Sequence, residues 1–120
     1  LPTVYADRVM VEQVLLNLVK NAIEAMREVP AAQRGLRIEA RVNLDGDVEV
    51  RVCDRGPGLS QAESEQLFSP FYTTKSDGLG IGLAICRSII EYHEGRLFFE
   101  ARDGGGSVFG FTLPTPDRRM

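Results

Sequence analysis

Two stretches of this chain alternate apolar and polar residues around tight-turn signals, and they narrow the available folds more than any other feature. Leu36, Ile38, Ala40, Val42 and Leu44 face one way, Asp45-Gly46 follows, and Val48, Val50 and Val52 resume the alternation up to Cys53-Asp54. Period-two alternation on both sides of Asp-Gly predicts a β-hairpin. Leu97 to Ala101 and Ser107 to Leu113 read as a second pair of strands around Gly104-Gly105-Gly106. Elsewhere the apolar period is helical. Asp7 can cap a long helix running to about Val29, with Val11, Val14, Leu15, Leu18, Ala22 and Met26 as its buried stripe and Pro30 as its stop. Ser60 and Glu63 have capping-box spacing and open a short helix to about Phe68. A third helix spans roughly Leu79 to His93, with Gly95 as its C-terminal stop.

Helices interleaved with hairpins, instead of single strands, argue against a doubly wound parallel sheet. The order predicts an α+β fold: a two-layer α/β sandwich with a mixed, mostly antiparallel sheet and helices on one face. A length of 120 residues fits one domain over 1–120, and 43% hydrophobic with 26% charged residues is a globular balance with one core. The tail, 115–120, is expected to fray. The chain starts at Leu1-Pro2 in what reads as mid-fold, so it is expected to be a piece of a longer protein.

Several function classes are disfavoured. A net charge of -3 without a basic stripe argues against nucleic-acid binding. No apolar run reaches the length of a membrane span, and no signal peptide is present. Cys53 and Cys86 lie far apart in apolar segments without metal-ligand company, which predicts buried free thiols and a reducing, cytoplasmic setting.

The segment "SDGLGIGLAICRSII" places Gly78, Gly80 and Gly82 at the mouth of the third helix. It matches neither the P-loop nor the dinucleotide fingerprint, in spacing or in context. What remains is a glycine-rich helix N-terminus, where free N–H groups and the helix dipole can hold a phosphate and missing side chains allow close approach. A flexible hinge explains the glycines equally well.

Three further segments carry chemistry-bearing residues, and for each a plainer reading stands beside the functional one. In "EQVLLNLVKNAIEAM", Asn17 and Asn21 share a helix face with Lys20 beside it, and an amide oxygen suits Mg²⁺; solvated asparagines are the plainer reading. In "DRGPG", Asp54 at a strand end could accept a hydrogen bond from the exocyclic amine of adenine; a simple turn is the alternative. In "LFSPFYTTK", Lys75 could meet a phosphate; a surface loop pinned by Phe68 and Phe71 is the alternative.

Taken in this order, the four segments resemble the ATP-binding catalytic domain of sensor histidine kinases, of the GHKL ATPase superfamily with its Bergerat fold. "NLVKNA" resembles the N box, "DRGPG" the G1 box, "LFSPFYTTK" the F box and "GLGIGLAICRSIIEYHEG" the G2 box, while "GGGSVFGFTLP" is similar to the closing strand. The style of "NAIEAM" and "FYTTK" is most similar to oxygen- and nitrogen-sensing type kinases. The resemblance implies ATP and Mg²⁺ as cofactors. It implies that Asn21 coordinates Mg²⁺ with Asn17 in support, both counted as catalytic, and that Lys20 contacts phosphate. Asp54 would bind the adenine amine, with Gly56 and Gly58 giving room for the base. About 59–79 would form an ATP lid, poorly ordered without nucleotide, from which Lys75 reaches the phosphates. Gly78, Gly80 and Gly82 would admit the phosphate chain, with Leu83 beside them, and Ser107 would lie near the adenine.

The implied activity is transfer of the γ-phosphate to a histidine on a separate dimerisation domain, through which such kinases form homodimers, followed by relay to a response regulator. Direct membrane contact by this domain is not implied. His93 stands in the last turn of the third helix, where the dipole favours its protonated form. It is assigned a structural role and not that of acceptor. Superfamily hydrolases and anti-sigma serine kinases carry a glutamate four residues before the Mg²⁺ asparagine; here Asn17 holds that place, so slow intrinsic hydrolysis is expected. Two alternatives remain: a nucleotide-gated interaction module without phosphotransfer, or an ATPase or serine kinase of the superfamily.

Overall fold

A computed structural model of the chain describes residues 1–66, 82–102 and 105–116. The first helix, α1, spans Arg8–Ala25, and Asp7 caps it: its Oδ1 accepts the Met10 N–H at 3.1 Å. The helix stops four residues short of the expected Val29. Beyond Ala25 the main chain tightens to three-residue bonds, with Met26 N–H to the Ile23 carbonyl and Val29 N–H to that of Met26. A 3-10 turn at Ala31–Gln33 follows Pro30.

Strands β1 (Arg37–Val42) and β2 (Val48–Cys53) form the first hairpin, with Gly46 at its turn at φ 85. The short helix α2 covers Gln61–Glu65 and begins on a reciprocal cap. Ser60 N–H donates to Glu63 Oε1 at 2.9 Å, and Glu63 N–H donates to Ser60 Oγ at 3.1 Å. Helix α3 spans Gly82–Tyr92, and its expected start at Leu79 lies outside the described residues. Strands β3 (Arg96–Ala101) and β4 (Ser107–Leu113) complete a four-stranded sheet of order β1-β2-β4-β3. Every described strand pair is antiparallel.

Gly95 closes α3 as expected, but not as its left-handed residue: its N–H donates to the Ile90 carbonyl at 2.9 Å, the wide bond of a Schellman cap. The left-handed residue at the end of α3 is Glu94, at φ 64. Gly95 is needed instead for closeness, because a Cβ there would collide with the Thr112 carbonyl.

One face of the sheet carries the core. Val14, Leu18 and Ala22 from α1 and Cys86 and Ile90 from α3 meet Val52, Leu97, Phe109, Phe111 and Leu113. These sheet residues share a face because their registers pair Val52 with Phe109 and Leu97 with Phe111. The predicted stripe of α1 holds: Val14, Leu18, Ala22 and Met26 are buried, and Val11 and Leu15 pack at its margin. The opposite face is polar. Arg41 meets Glu49 at 2.9 Å, and Arg51 bridges Glu49 and Glu100 at 3.3 and 2.8 Å. On that face the Phe98 ring lies over Gly110, where a Cβ would collide with it, and Arg51 and Arg96 stack 5.9 and 5.7 Å from its centroid.

The alternating residues of β1 are not core. Ile38 and Val42 are 51% and 48% exposed, although their register puts them on the face of Val52 and Val48. The two long helices pack over β2, β4 and β3, and β1 lies beyond them at the sheet edge. No helix among the described residues is long and apolar enough to cross a membrane.

Candidate functional site

The site begins where β2 runs out of ladder. Asp54 N–H donates to the Ser107 carbonyl at 2.9 Å, which extends the β2–β4 pairing by one residue. The Asp54 side chain then turns inward. Its Oδ1 accepts the Gly56 N–H at 2.8 Å and the Ser107 N–H at 3.3 Å, and the residue is 1% exposed. Its Oδ2 is buried and has no hydrogen-bond partner among the described residues. Burial pushes the Asp54 carboxyl above the usual carboxylate range, against the opposing pull of the Gly56 and Ser107 N–H groups and of Arg102. A buried acceptor left open is costly, and its geometry is that of an oxygen waiting for a donor.

Glycines bring the backbone together around this acid. A Cβ on Gly56 would lie 2.8 Å from the Ala25 carbonyl, so the G1 segment packs directly on the last turn of α1. Gly58, at φ 78, approaches the Gly106 carbonyl, and a Cβ there would stand 3.2 Å from it. Gly106, at φ 99, leaves no room for a Cβ beside the Asp54 carbonyl. Arg102 also holds that carbonyl, donating from Nη1 at 2.8 Å. Neither Arg102 nor Gly106 was among the expected site residues. The Gly104-Gly105-Gly106 run signalled a turn, and nothing local to Arg102 signalled its partner.

On α1, Asn17 and Asn21 are half-buried and Lys20 is exposed. Gly82, the first residue of α3, faces Asn17: a Cβ there would lie 3.2 Å from Asn17 Oδ1. Leu83 follows, half-buried against the core. Thus Asn17 and Gly82 are brought together, and so are Asp54, Gly56, Gly58 and Ser107. Lys75, Gly78 and Gly80, with the lid from 67 onward, lie outside the described residues. No group of three or more His, Cys, Asp or Glu side chains forms a metal cage among the described residues. A cleft of about 480 Å³ opens behind the G1 segment against Gly56, Arg55, Arg102 and Gln33. Its lining among the described residues shares Gly56 with the Asp54 end of this constellation and includes neither asparagine, Lys20 nor Gly82.

His93 is buried at the C-terminal end of α3. Its Nδ1 faces the Ile89 carbonyl at 2.8 Å, and its Nε2 accepts the Asp7 N–H at 2.9 Å. These two contacts fix the ring between the end of α3 and the start of α1, in keeping with the structural role expected of it.

The fold is thus a two-layer sandwich in which a buried strand-end acid, Asp54, stands among closely packed glycines. The chain belongs to the family of histidine kinase-, DNA gyrase B- and HSP90-like ATPases, whose model matches residues 6–117. It is 49% identical over 116 residues to the C4-dicarboxylate transport sensor protein DctS of Rhodobacter capsulatus, covering 97% of this chain and 18% of that protein. It is 46% identical over 114 residues to the sensor protein FixL of Bradyrhizobium diazoefficiens, covering 95% of this chain and 22% of the relative. The chain therefore spans about a fifth of these relatives' lengths. Its fold superposes on the nucleotide-free catalytic domain of histidine kinase ThkA with a TM-score of 0.81 and 44% identity, covering 97% of this chain and 74% of that one. It also matches full-length ShkA in complex with AMPPNP, with a TM-score of 0.77 and 31% identity over 95% of this chain and 23% of ShkA.

Proposed function

We propose that this chain is the Mg-ATP-binding catalytic module of a sensor histidine kinase and donates the γ-phosphate to a histidine on a separate dimerisation domain. The observation that carries the reading is the orphaned Asp54 Oδ2. An adenine amine is the donor that such an oxygen accepts, and the packed glycines at 56, 58 and 106 bring the backbone close enough to hold a flat base. Asn21 would hold Mg²⁺ and the phosphates from α1, Asn17 would support it from the preceding turn, and Lys20 would add positive charge. Gly82 and Leu83 line the mouth of α3, with Gly78, Gly80 and Lys75 completing the phosphate side. Ser107 fixes Asp54 through its N–H. Mg²⁺ fits as an ion that arrives on the phosphates, since such sites use one or two protein ligands and several waters. When bound, Mg-ATP supplies the transferable phosphoryl group and the neutralising charge, while the chain positions it.

The acceptor histidine and the homodimer made through its domain belong to the parent protein, the response regulator is its downstream partner, and the catalytic module is cytoplasmic whether or not the parent is anchored in a membrane. Asn17 in place of a water-activating carboxylate supports transfer over hydrolysis. The test is a calorimetric titration with ATP and GTP in magnesium. GTP offers a carbonyl where adenine offers an amine, so ATP should bind at least about tenfold tighter. Equal affinities, or no heat at millimolar nucleotide, would overturn the site. Transfer to a supplied dimerisation domain should be lost in Asn21→Ala, and full transfer by that variant would sink the assigned role.

A further inference from the structure

The last rung of the β2–β4 ladder is incomplete, and Arg102 stands where the missing bond belongs. In an antiparallel ladder, the two residues of a hydrogen-bonded pair exchange both main-chain bonds. Asp54 and Ser107 continue the register that pairs Cys53 with Val108. Asp54 N–H donates to the Ser107 carbonyl at 2.9 Å, as such a pair requires. The return bond is diverted. Ser107 N–H donates to Oδ1 of the Asp54 side chain at 3.3 Å, and the Asp54 carbonyl accepts instead from Arg102 Nη1 at 2.8 Å. The guanidinium thus substitutes for a strand N–H, and that N–H is released to the carboxylate. Arg102 reaches the carbonyl from the turn between β3 and β4, where its own N–H donates to the Gly106 carbonyl and its carbonyl accepts the Gly105 N–H, both at 3.2 Å. Gly106, lacking a Cβ, leaves the Asp54 carbonyl open to approach from that turn.

We propose that Arg102 is a positioning residue for the base-binding acid: by occupying the Asp54 carbonyl it leaves Ser107 N–H to fix Oδ1, and so keeps Oδ2 free for the adenine amine. What Oδ2 receives rests on the nucleotide reading above; what Arg102 does rests on the ladder. The Gly56 and Ser107 N–H groups, at 2.8 and 3.3 Å, are the two bonds that orient the carboxyl group. Without Arg102 the Asp54 carbonyl becomes an acceptor in need of a donor, and the ladder offers it Ser107 N–H. Reclaiming that donor takes one of the two bonds away from Oδ1. The guanidinium also acts through its charge. Burial raises the Asp54 carboxyl, the Gly56 and Ser107 N–H groups oppose this, and Arg102 is the charge set against it. The end of α1 brings Ala25 and Met26 against the G1 segment, and neither titrates. Arg55, next in the chain, is exposed with its side chain against Gly35. Arg102 therefore holds the acid both in place and ionised, the form that accepts an amine hydrogen.

Arg102→Met and Arg102→Lys test this with two readouts. The first needs no nucleotide: the carboxyl carbon of Asp54 is followed by NMR through an acid titration. Arg102→Met should move its midpoint to higher pH, and Arg102→Lys, which keeps the charge and a donor, should return it toward the wild-type value. If Arg102→Met does not fold, Arg102→Gln removes the charge more gently and should show the same upward midpoint. The second readout is calorimetric titration with Mg-ATP near neutral pH. Arg102→Met should bind about tenfold more weakly than wild type, the scale of one lost charge-assisted bond, and Arg102→Lys should recover most of that loss. An Asp54 midpoint that stays put when the charge is removed overturns the proposal. So does a wild-type ATP affinity in Arg102→Met, or a loss that Arg102→Lys fails to rescue, which would make Arg102 a part of the turn alone. A wild-type chain that gives no heat with ATP refutes the nucleotide reading instead, and the Asp54 titration then decides the role of Arg102 by itself.

Discussion

The main-chain N–H of Asp7, at the start of α1, donates to Nε2 of His93 at the end of α3, 86 residues away in sequence. The bond ties together the two helices that form the upper layer of the sandwich. It also holds the residue that caps α1, and α1 carries Asn17, Lys20 and Asn21. His93→Ala removes the acceptor and leaves the Asp7 N–H open. It should cost about 1–3 kcal/mol in urea denaturation, with the loss seen equally with and without nucleotide.

Asp54→Asn should separate stability from binding. Burial, the largest cause, raises the Asp54 carboxyl above its ordinary value, so the folded chain holds that proton more tightly than the unfolded chain does. Between the ordinary and the raised value the native state binds more protons, and stability declines as pH rises through that window. Above that window the protein carries the whole penalty. Asp54→Asn should therefore melt higher at pH 7 and lose this part of the pH slope in thermal scans. Its oxygen must take the Oδ1 place to keep the Gly56 and Ser107 N–H bonds, so its amide would turn a donor toward the adenine amine. ATP affinity should fall at least about tenfold, since a donor facing a donor rejects the ligand strongly.

The glycine pair at 105 and 106 offers a matched comparison. Both have positive φ, 106 and 99, but a Cβ on Gly105 meets nothing within 4 Å whereas one on Gly106 collides with the Asp54 carbonyl. Gly105→Ala should cost only the left-handed backbone strain, about 1–2 kcal/mol. Gly106→Ala should cost clearly more, in the range above about 3 kcal/mol, and should weaken nucleotide binding by displacing Asp54. Denaturation midpoints of the two variants side by side check this.

The thiols should be inert until the chain unfolds. Burial pushes the Cys86 thiol up to about 11, and the same cause, aided by Glu39, raises Cys53. Both side chains are buried and unpaired. Ellman's reagent should find no fast-reacting thiol in the native protein at pH 8 and both of them in denaturant.

Much of this was legible in the sequence because it is local. The Asp7 cap, the Ser60–Glu63 box, the Asp45-Gly46 turn and the four strands all rest on residues within a few positions of one another, where hydrogen-bond reach and side-chain period decide the outcome. The order of the four segments pointed to the family, and Asp54 could be nominated as the base-binding acid because it ends an apolar strand beside glycines. Tertiary structure decided what those residues meet. It left Oδ2 of Asp54 without a partner among the described residues, brought Arg102 and Gly106 to the carbonyl of the same residue, and set Gly82 against Asn17. It made Gly95 a matter of closeness to Thr112, and it placed the regular alternation of β1 past the reach of both long helices. An alternating pattern says which side chains share a face. Whether that face is covered depends on elements tens of residues away, and burial, which sets both the raised Asp54 carboxyl and the exposed edge, is not a local property.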